Sequence, residues 1–226
     1  MIKSHYPSLT TFVCGVLLGM NAAGNAQEWT RFRGPNGTGI GLAKGIPSKF
    51  TVDDADWRVA LKGEGHSSPV LWGGRVFVTG SNRAKGTFIV QCLRAKDGSE
   101  AWSVSRPQKS YRMHQYNHLT SSTPATDGKQ LVVLVSEPDA HTVFAVDLEG
   151  KKLWERKFET IISNHGGGVS PIFYGDRVIL AGDEESRSFL TALDAASGNV
   201  LWKTDRANVK TAFSTPCRFV DPSGTE

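Results

Sequence analysis

The sequence predicts an all-β protein built from repeated units of four short antiparallel strands. Tryptophan recurs at positions 57, 102, 154 and 202, at intervals of 45, 52 and 48 residues. A proline preceded by serine or threonine recurs in the same phase, at positions 69, 124, 171 and 216. Apolar runs and glycine turns fill the sequence between each proline and the next tryptophan. Four short strands in each period are typical of a β-propeller blade, and about three and a half blades are present.

Residues 1–26 have the three-part pattern of a secretory signal peptide. Lys3 precedes a nine-residue apolar stretch, Phe12–Met20, and small residues then lead to Ala26. The apolar stretch is too short to span a bilayer, which takes about 20 residues. We therefore expect export to the periplasm or the medium, with cleavage after Ala26, and a leader at residues 27–56.

The partial propeller is predicted at residues 57–226. Its repeats cover about 66–105, 118–158 and 165–205, with a fourth starting at 212–226. In each repeat the proline opens a short strand, and two longer apolar strands and a tryptophan-bearing strand follow. The second strands are RVFVTG, QLVVLV and RVILAG, and the third strands are TFIVQCL, HTVFAV and SFLTAL. Continuous apolar runs of this length predict strands that are buried on both faces.

A glycine turn before each tryptophan has a structural explanation. Asp194 can accept hydrogen bonds from the backbone that follows it, and Gly198 can adopt a positive φ at no steric cost. The hairpin then directs Trp202 sideways into the wedge between neighbouring blades. We interpret the repeated set as structural rather than catalytic: Trp57, Trp102, Trp154, Trp202, Gly98, Gly150, Gly198, Asp147 and Asp194.

The run from Ala192 to Trp202, ALDAASGNVLW, resembles the tryptophan-docking motif of the PQQ-like repeat family. That family of seven- or eight-bladed propellers includes quinoprotein dehydrogenases and the outer-membrane assembly factor BamB. AVDLEGKKLW, from Ala145 to Trp154, matches with one residue deleted, and the opening EWTRFRGPNGTGI resembles the leader of exported PQQ-like proteins of planctomycete-type bacteria. The resemblance implies an N-terminal fragment whose remaining blades lie in a missing C-terminal part, with Trp57 closing the last blade of the complete ring.

Family membership implies two classes of function. The favoured hypothesis is a non-catalytic exported scaffold, similar to BamB, that binds a protein partner or small ligand in the cell envelope. The alternative is part of a PQQ-dependent quinoprotein dehydrogenase, which by resemblance would carry adjacent cysteines, an acidic calcium ligand and an aspartate base. The sequence has no adjacent cysteine pair, so we expect no PQQ or other cofactor. Whether the chain is an enzyme stays open at this point.

Composition excludes some partners. The formal net charge is +4, and no run of basic residues concentrates it, so we expect no nucleic acid partner. The three cysteines, Cys14, Cys92 and Cys217, are far apart, which predicts no disulfide framework and buried free thiols after export.

Candidate binding residues fall before the opening strands. His66, His118 and His165 precede the prolines of three repeats, in loops that would approach one face of the central channel. Three imidazoles could hold a zinc-type ion there, but backbone or solvent contacts are the simpler interpretation, and no metal is assigned. The candidate partner-binding loop contains Tyr111, Arg112, Met113 and Tyr116, because aromatic and cationic residues are enriched in interfaces. The acidic run at 183–185 is interpreted as solvated surface.

Overall fold

The described residues form three four-stranded antiparallel sheets in which the strands follow chain order. The computed structural model describes residues 27–161, 165–184, 187–207 and 211–225, so the predicted signal peptide lies outside it. Blade 1 contains β1 (Val70–Trp72), β2 (Arg75–Asn82), β3 (Thr87–Arg94) and β4 (Glu100–Pro107); blade 2 contains β5 (Ala125–Thr126), β6 (Gln130–Glu137), β7 (Ala140–Asp147) and β8 (Lys152–Glu159); blade 3 contains β9 (Ile172–Tyr174), β10 (Arg177–Gly182), β11 (Ser188–Asp194) and β12 (Val200–Arg206). This architecture confirms the predicted all-β propeller fold.

Short 3-10 turns at Pro35–Gly37 and Val52–Asp54 are the helical elements of the described residues. Within that part of the chain, no helix is long and apolar enough to cross a membrane.

The two central strands of each blade are the most deeply buried, because they pack against a neighbouring blade, and in blade 2 against one on each face. Phe77 of β2 and Leu131 of β6 share a cluster between blades 1 and 2. Val132 of β6 and Leu180 of β10 share a second cluster between blades 2 and 3. Consecutive residues Leu131 and Val132 therefore face opposite neighbours, as the period of two in a strand requires. Blade 2 is the middle layer of this arrangement.

Each blade has a β-bulge in its outer strand, next to the tryptophan. The register shifts after Cys92–Trp102 in blade 1 and after Ala145–Trp154 in blade 2. In blade 3 it shifts after Ala192–Trp202. An extra residue in one strand bends that strand and changes the direction of its side chains. The recurring bulge therefore places the tryptophan in the same direction in every blade.

Tryptophan side chains pack on the glycine turns, and Trp102 and Trp154 thereby join consecutive blades. Their indole N–H groups donate to a backbone carbonyl in the next glycine turn: Trp57 to Ala95 at 2.9 Å, Trp102 to Leu148 at 2.7 Å and Trp154 to Ala195 at 2.8 Å. Each ring also covers the glycine of that turn, so that a Cβ placed on Gly98, Gly150 or Gly198 would lie 2.4, 2.9 or 2.4 Å from the ring.

The aspartates of these turns accept backbone hydrogen bonds. Asp194 Oδ1 accepts from the N–H of Ser197 at 2.8 Å, and Asp147 Oδ1 accepts from the N–H of Lys151 at 2.8 Å. Hydrogen bonds from the hydroxyl and the N–H of Ser197 lower the pKa of Asp194. Trp202 belongs to the same register, but it is 39% exposed, because the described residues place no glycine turn against it.

The leader runs across the inner strands of two blades. Trp29 forms an antiparallel bridge with Leu71 of β1, with hydrogen bonds of 3.0 and 2.9 Å. The carbonyl of Thr30 accepts from the N–H of Thr126 in β5 at 2.9 Å. The leader thus fixes the spacing of blades 1 and 2 along their inner edge.

The same leader binds the C-terminal segment. Arg31 is 8% exposed, and its Nη2 donates to the carbonyl of Pro216 at 2.6 Å. The side chain of Asn36 pairs with the backbone of Arg218 through two hydrogen bonds of 3.1 Å. Residues more than 180 positions apart in the chain are therefore held together.

The beginning of the fourth repeat differs from the earlier ones. Residues 211–225 contain no strand, although Pro216 has the phase of the other opening prolines. Opening strands in blades 1 to 3 pair with a second strand, and the described residues offer none here. Asp221–Thr225 nevertheless closes a turn with the hydrogen-bond pattern of Asp147–Lys151.

Candidate channel-face site

A cavity of about 440 Å³ lies at the face where the connections between blades meet the leader. Its lining comes from five parts of the chain: Phe32, His66, His114, Tyr116, Asn117, Ser121, His165, Gly168 and Phe213. Of the inner strands, β5 contacts both β1 and β9, which brings the connections before them to one end of the channel. Curvature of the blade array therefore builds this cavity from segments distant in sequence.

The structure brings together several of the sequence-predicted residues. His66 and His165 both line the cavity, and so does Tyr116 of the predicted partner loop. His118 lies beside it, with its ring centroid 5.5 Å from that of His66. His114, which belongs to the same predicted loop, stacks on His165 with the ring centroids 5.8 Å apart. The histidines thus form two pairs rather than one triad.

The remaining residues of the partner loop have different environments. The hydroxyl oxygen of Tyr111 accepts from the N–H of Gly167 at 3.3 Å, and burial raises the pKa of that hydroxyl. Met113 packs near Gly166, whereas Arg112 is exposed. Tyr116 is 79% exposed at the rim of the cavity. The loop therefore has an anchored side and a solvent-facing side.

Asn117 anchors the loop to the next connection. Its Nδ2 donates to the carbonyls of His165 at 2.6 Å and Gly167 at 3.1 Å. Its Oδ1 accepts from the N–H of His118 at 2.8 Å and from the hydroxyl of Ser121. The amide side chain of Asn117 thus links the loop that precedes blade 2 to the loop that precedes blade 3.

His118 has an unusual electrostatic environment. Its Nδ1 lies 3.3 Å from the Thr120 hydroxyl, and its Nε2 lies 3.7 Å from Oε2 of Glu64. Burial lowers the pKa of His118, the neighbouring His66 and Arg83 lower it further, and Glu64 opposes them. These effects favour the neutral imidazole near pH 7.

A second buried histidine lies between blades 2 and 3. His141 Nδ1 is 3.0 Å from the Ser136 hydroxyl, and its Nε2 is 3.4 Å from Glu184 Oε1. Ser136, His141 and Glu184 are 6%, 1% and 3% exposed. A Cβ on Gly167 would lie 2.1 Å from the Ser136 oxygen, so backbone covers the hydroxyl. The group resembles a nucleophile–base–acid array in composition, but its geometry makes it an interblade link.

The interpretation of the acidic run as solvated surface is wrong for two of its three residues. Asp183 is 2% exposed and pairs with Arg206 at 2.6 Å, and Glu184 faces His141. Glu185 lies outside the described residues. The side chains that face these two carboxyl groups, Arg206 and His141, come from other strands, so local sequence could not reveal them.

The cavity does not fit a calcium–quinone centre. The residues of its lining offer imidazole, phenyl, phenol, amide and hydroxyl groups, whereas calcium requires several oxygen ligands, usually including carboxylates. Over the described ranges, no three histidine, cysteine, aspartate or glutamate side chains are arranged to hold a metal ion.

Similar solved structures include enzymes and an assembly factor. Quinohemoprotein alcohol dehydrogenase ADHIIG from Pseudomonas putida HK5 aligns with a TM-score of 0.54 and 16% identity, over 79% of this chain and 26% of that one. The quinohemoprotein alcohol dehydrogenase from Comamonas testosteroni aligns with a TM-score of 0.46 and 18% identity, over 63% of this chain and 21% of that one. BamB from Moraxella catarrhalis aligns with a TM-score of 0.41 and 16% identity, over 69% of this chain and 43% of that one. The chain thus spans about a quarter of the dehydrogenases and less than half of BamB, and at these identities the likeness concerns the fold alone.

Sequence comparison is more specific about the family. No curated protein matches this chain. A family profile described as outer membrane protein assembly factor BamB matches residues 54–164 and, in a second overlapping match, residues 118–225. Because these two matches together span most of the sequence, the chain belongs to the BamB family of PQQ-like repeat propellers.

Proposed function

We propose that this protein is a non-catalytic scaffold that is exported to the cell envelope and binds a protein partner there. The observation that carries the proposal is the exposed rim of the channel-face cavity, where Tyr116 is 79% exposed on a loop that Tyr111 and Asn117 anchor. A large aromatic side chain on a fixed backbone loses little conformational entropy on binding, which is why aromatic residues are frequent anchors of interfaces. Membership of the BamB family supports the proposal.

Site-specific photo-crosslinking in the native envelope tests the partner-binding rim. A photoreactive phenylalanine analogue replaces Tyr116 in one variant and Tyr174 in the control. Tyr174 is also exposed, but it ends β9 next to the turn into β10 rather than lining the cavity. We expect a discrete protein adduct from position 116 and none from position 174. Identical adducts at both positions, or none at either, would contradict the proposal.

The remaining blades are a second part of the proposal. At each interface between described blades, two side chains of one blade donate to the same backbone carbonyl of the next blade. Arg75 and Trp102 of blade 1 donate to the carbonyl of Leu148. Gln130 and Trp154 of blade 2 donate to the carbonyl of Ala195. Arg177 and Trp202 hold the corresponding positions in blade 3. Both side chains are exposed, as are Val200 and Leu201 beside them. We infer that a further blade of the same repeat, supplied by additional C-terminal sequence, covers this face.

Hydroxyl-radical footprinting with intact-mass measurement tests this second part. In protein purified from its native source we expect a mass well above 24.5 kDa and protection of Trp202 comparable to that of Trp154. The 226-residue chain produced alone serves as the control, in which Trp202 reacts faster than Trp154. A native mass no larger than that of this chain, with Trp202 fully reactive, would overturn the inference.

The absence of a quinone cofactor also belongs to the proposal. The dehydrogenase alternative has only the shared fold in its favour, and the residues that line the cavity include no carboxylate to hold calcium. We expect no PQQ absorbance to remain with the native protein after incubation with PQQ and calcium and gel filtration. A bound quinone chromophore with dye-linked alcohol oxidation would favour the alternative.

A further inference from the structure

One hydroxyl group determines the tautomer of His118. Thr120 Oγ1 donates its single proton to the carbonyl of Glu64 at 3.0 Å. The same oxygen must therefore act as acceptor toward Nδ1 of His118, 3.3 Å away. The neutral imidazole then carries N–H at Nδ1 and a lone pair at Nε2. A ring nitrogen held by such a hydrogen bond is the usual support of a metal-ligating histidine.

The lone pair on Nε2 faces a carboxylate. Nε2 of His118 lies 3.7 Å from Oε2 of Glu64, which is beyond a normal hydrogen bond. Two acceptors at this separation are complementary to a cation placed between them. Ligand atoms at about 2.0–2.2 Å from a tetrahedral ion are about 3.4 Å apart, so only a small side-chain movement is needed.

The backbone that carries these groups is held in place independently. Glu64 exchanges two hydrogen bonds with Ser81 of β2, at 2.9 and 2.7 Å. The N–H of His66 donates to the carbonyl of Thr120 at 3.2 Å. A Cβ on Gly65 would lie 2.2 Å from Thr120 Oγ1, so only glycine allows this approach. The segment before β1 and the connection before β5 are thereby fixed side by side.

His66 can supply a third ligand. Its ring centroid lies 5.5 Å from that of His118. Two imidazoles that share a tetrahedral zinc ion have centroids about 5 Å apart, given Zn–N bonds of about 2.0 Å. No three such side chains are arranged around one point in the described residues, so the His66 side chain must move to complete the set.

We propose that Glu64 and His118 form a site for a zinc-class divalent cation at the rim of the channel-face cavity. His66 adds the third protein ligand, and water completes the coordination. Borderline nitrogen and carboxylate ligands in this combination suit Zn²⁺ and Co²⁺ better than Ca²⁺ or Mg²⁺. The bound ion would fasten the segment before blade 1 to the connection before blade 2. This inference does not depend on the proposed scaffold function.

Metal titration of the full chain tests the site. Metal-free protein is titrated with Zn²⁺ against a chromophoric chelator, and with Co²⁺ by visible absorbance. We expect one equivalent to bind to the wild type, with at least tenfold weaker binding in His118→Ala and Glu64→Gln. Thr120→Val removes the support of Nδ1 and should weaken binding about tenfold. His165→Ala, in the other histidine pair, is the matched control and should bind as the wild type does.

Circular dichroism confirms folding of each variant, and a zinc-dependent rise in Tm gives a second readout. The rise should occur in the wild type and in His165→Ala, but not in His118→Ala. Absence of saturable one-to-one binding in the wild type would overturn the proposal. Unchanged affinity in His118→Ala, or loss of binding in His165→Ala instead, would overturn it equally.

Discussion

Single atoms at the glycine turns decide how closely two blades can approach. The Trp154 ring lies over Gly198, where a Cβ would come within 2.4 Å of Cε3. Gly198 also has a φ of +68°, which costs a residue with a side chain about 1–2 kcal/mol. The glycine therefore meets a backbone requirement and a packing requirement at the same position.

Gly198→Ala should lower the free energy of unfolding by about 2–5 kcal/mol, the sum of the backbone strain and a core overpacking term. Gly175→Ala is the matched control, because its φ is +57° but an added Cβ would meet nothing within 4 Å. Its cost should be limited to about 1–2 kcal/mol. Urea denaturation of both variants measures the difference. Equal destabilisation would show that the tryptophan contact contributes nothing.

The two thiols of the described chain differ sharply in environment, so the expectation that both are buried is wrong for Cys217, which is exposed. Burial is the main cause that raises the pKa of Cys92 to about 11, and Arg75 and Arg94 partly offset it. A raised thiol pKa stabilises the fold fully below the unfolded value near 9, and this contribution is lost as the pH rises towards 11.

We expect iodoacetamide at pH 8 to modify Cys217 and to spare Cys92 until the chain is unfolded. Peptide mapping by mass spectrometry measures both sites in one sample. In Cys92→Ala the loss of stability between pH 9 and 11 should be smaller than in the wild type. Rapid labelling of Cys92 in the folded protein would contradict this prediction.

At the scale of elements, the leader acts as a clasp between distant segments. Arg31 and Asn36 together make three hydrogen bonds to the backbone of residues 216–218. These residues lie outside the described strands, and the leader holds their backbone through these bonds. Removing three bonds worth about 1 kcal/mol each should open the segment more often.

The double variant Arg31→Met/Asn36→Gly should be cleaved by trypsin after Arg218 at least tenfold faster than the wild type. Methionine keeps the apolar stem, and glycine tolerates the φ of +48° at position 36, so both changes remove chiefly polar contacts. Cleavage after Lys203 in β12 provides the internal control and should keep its rate. A parallel rise at both sites would indicate global unfolding instead.

Elements differ in how far the sequence predicts them. The strands were predictable because proline, glycine and tryptophan mark their ends in every repeat. The pairing of His66 with His118 and of His114 with His165 was not, because the curvature of the blade array, and not sequence spacing, sets those distances. The leader gave no local signal of its contacts with residues 216–218, since both sides are short loops.

For the whole molecule, stability should follow the number of covered blade faces. Blade 2 packs against a neighbour on both sides, whereas all of β12 in blade 3 is exposed. Repeat arrays lose order first at units with fewer neighbours. We expect amide hydrogen exchange in β6 and β7 to be slower by about tenfold or more than in β11 and β12. Equal protection in blades 2 and 3 would contradict this nearest-neighbour picture.

The bulge and the tryptophan recur at the same position in every blade, so the contacts between consecutive blades are alike. The interval between tryptophans nevertheless varies between 45 and 52 residues. That variation in length is concentrated in the connections at the cavity face. The part of each repeat that carries the bulge and the tryptophan therefore determines how the blades assemble. The connections at the cavity face are free to change in length and composition. Such a division lets a lineage gain, lose or exchange blades and remodel what they bind without redesigning the joints between them.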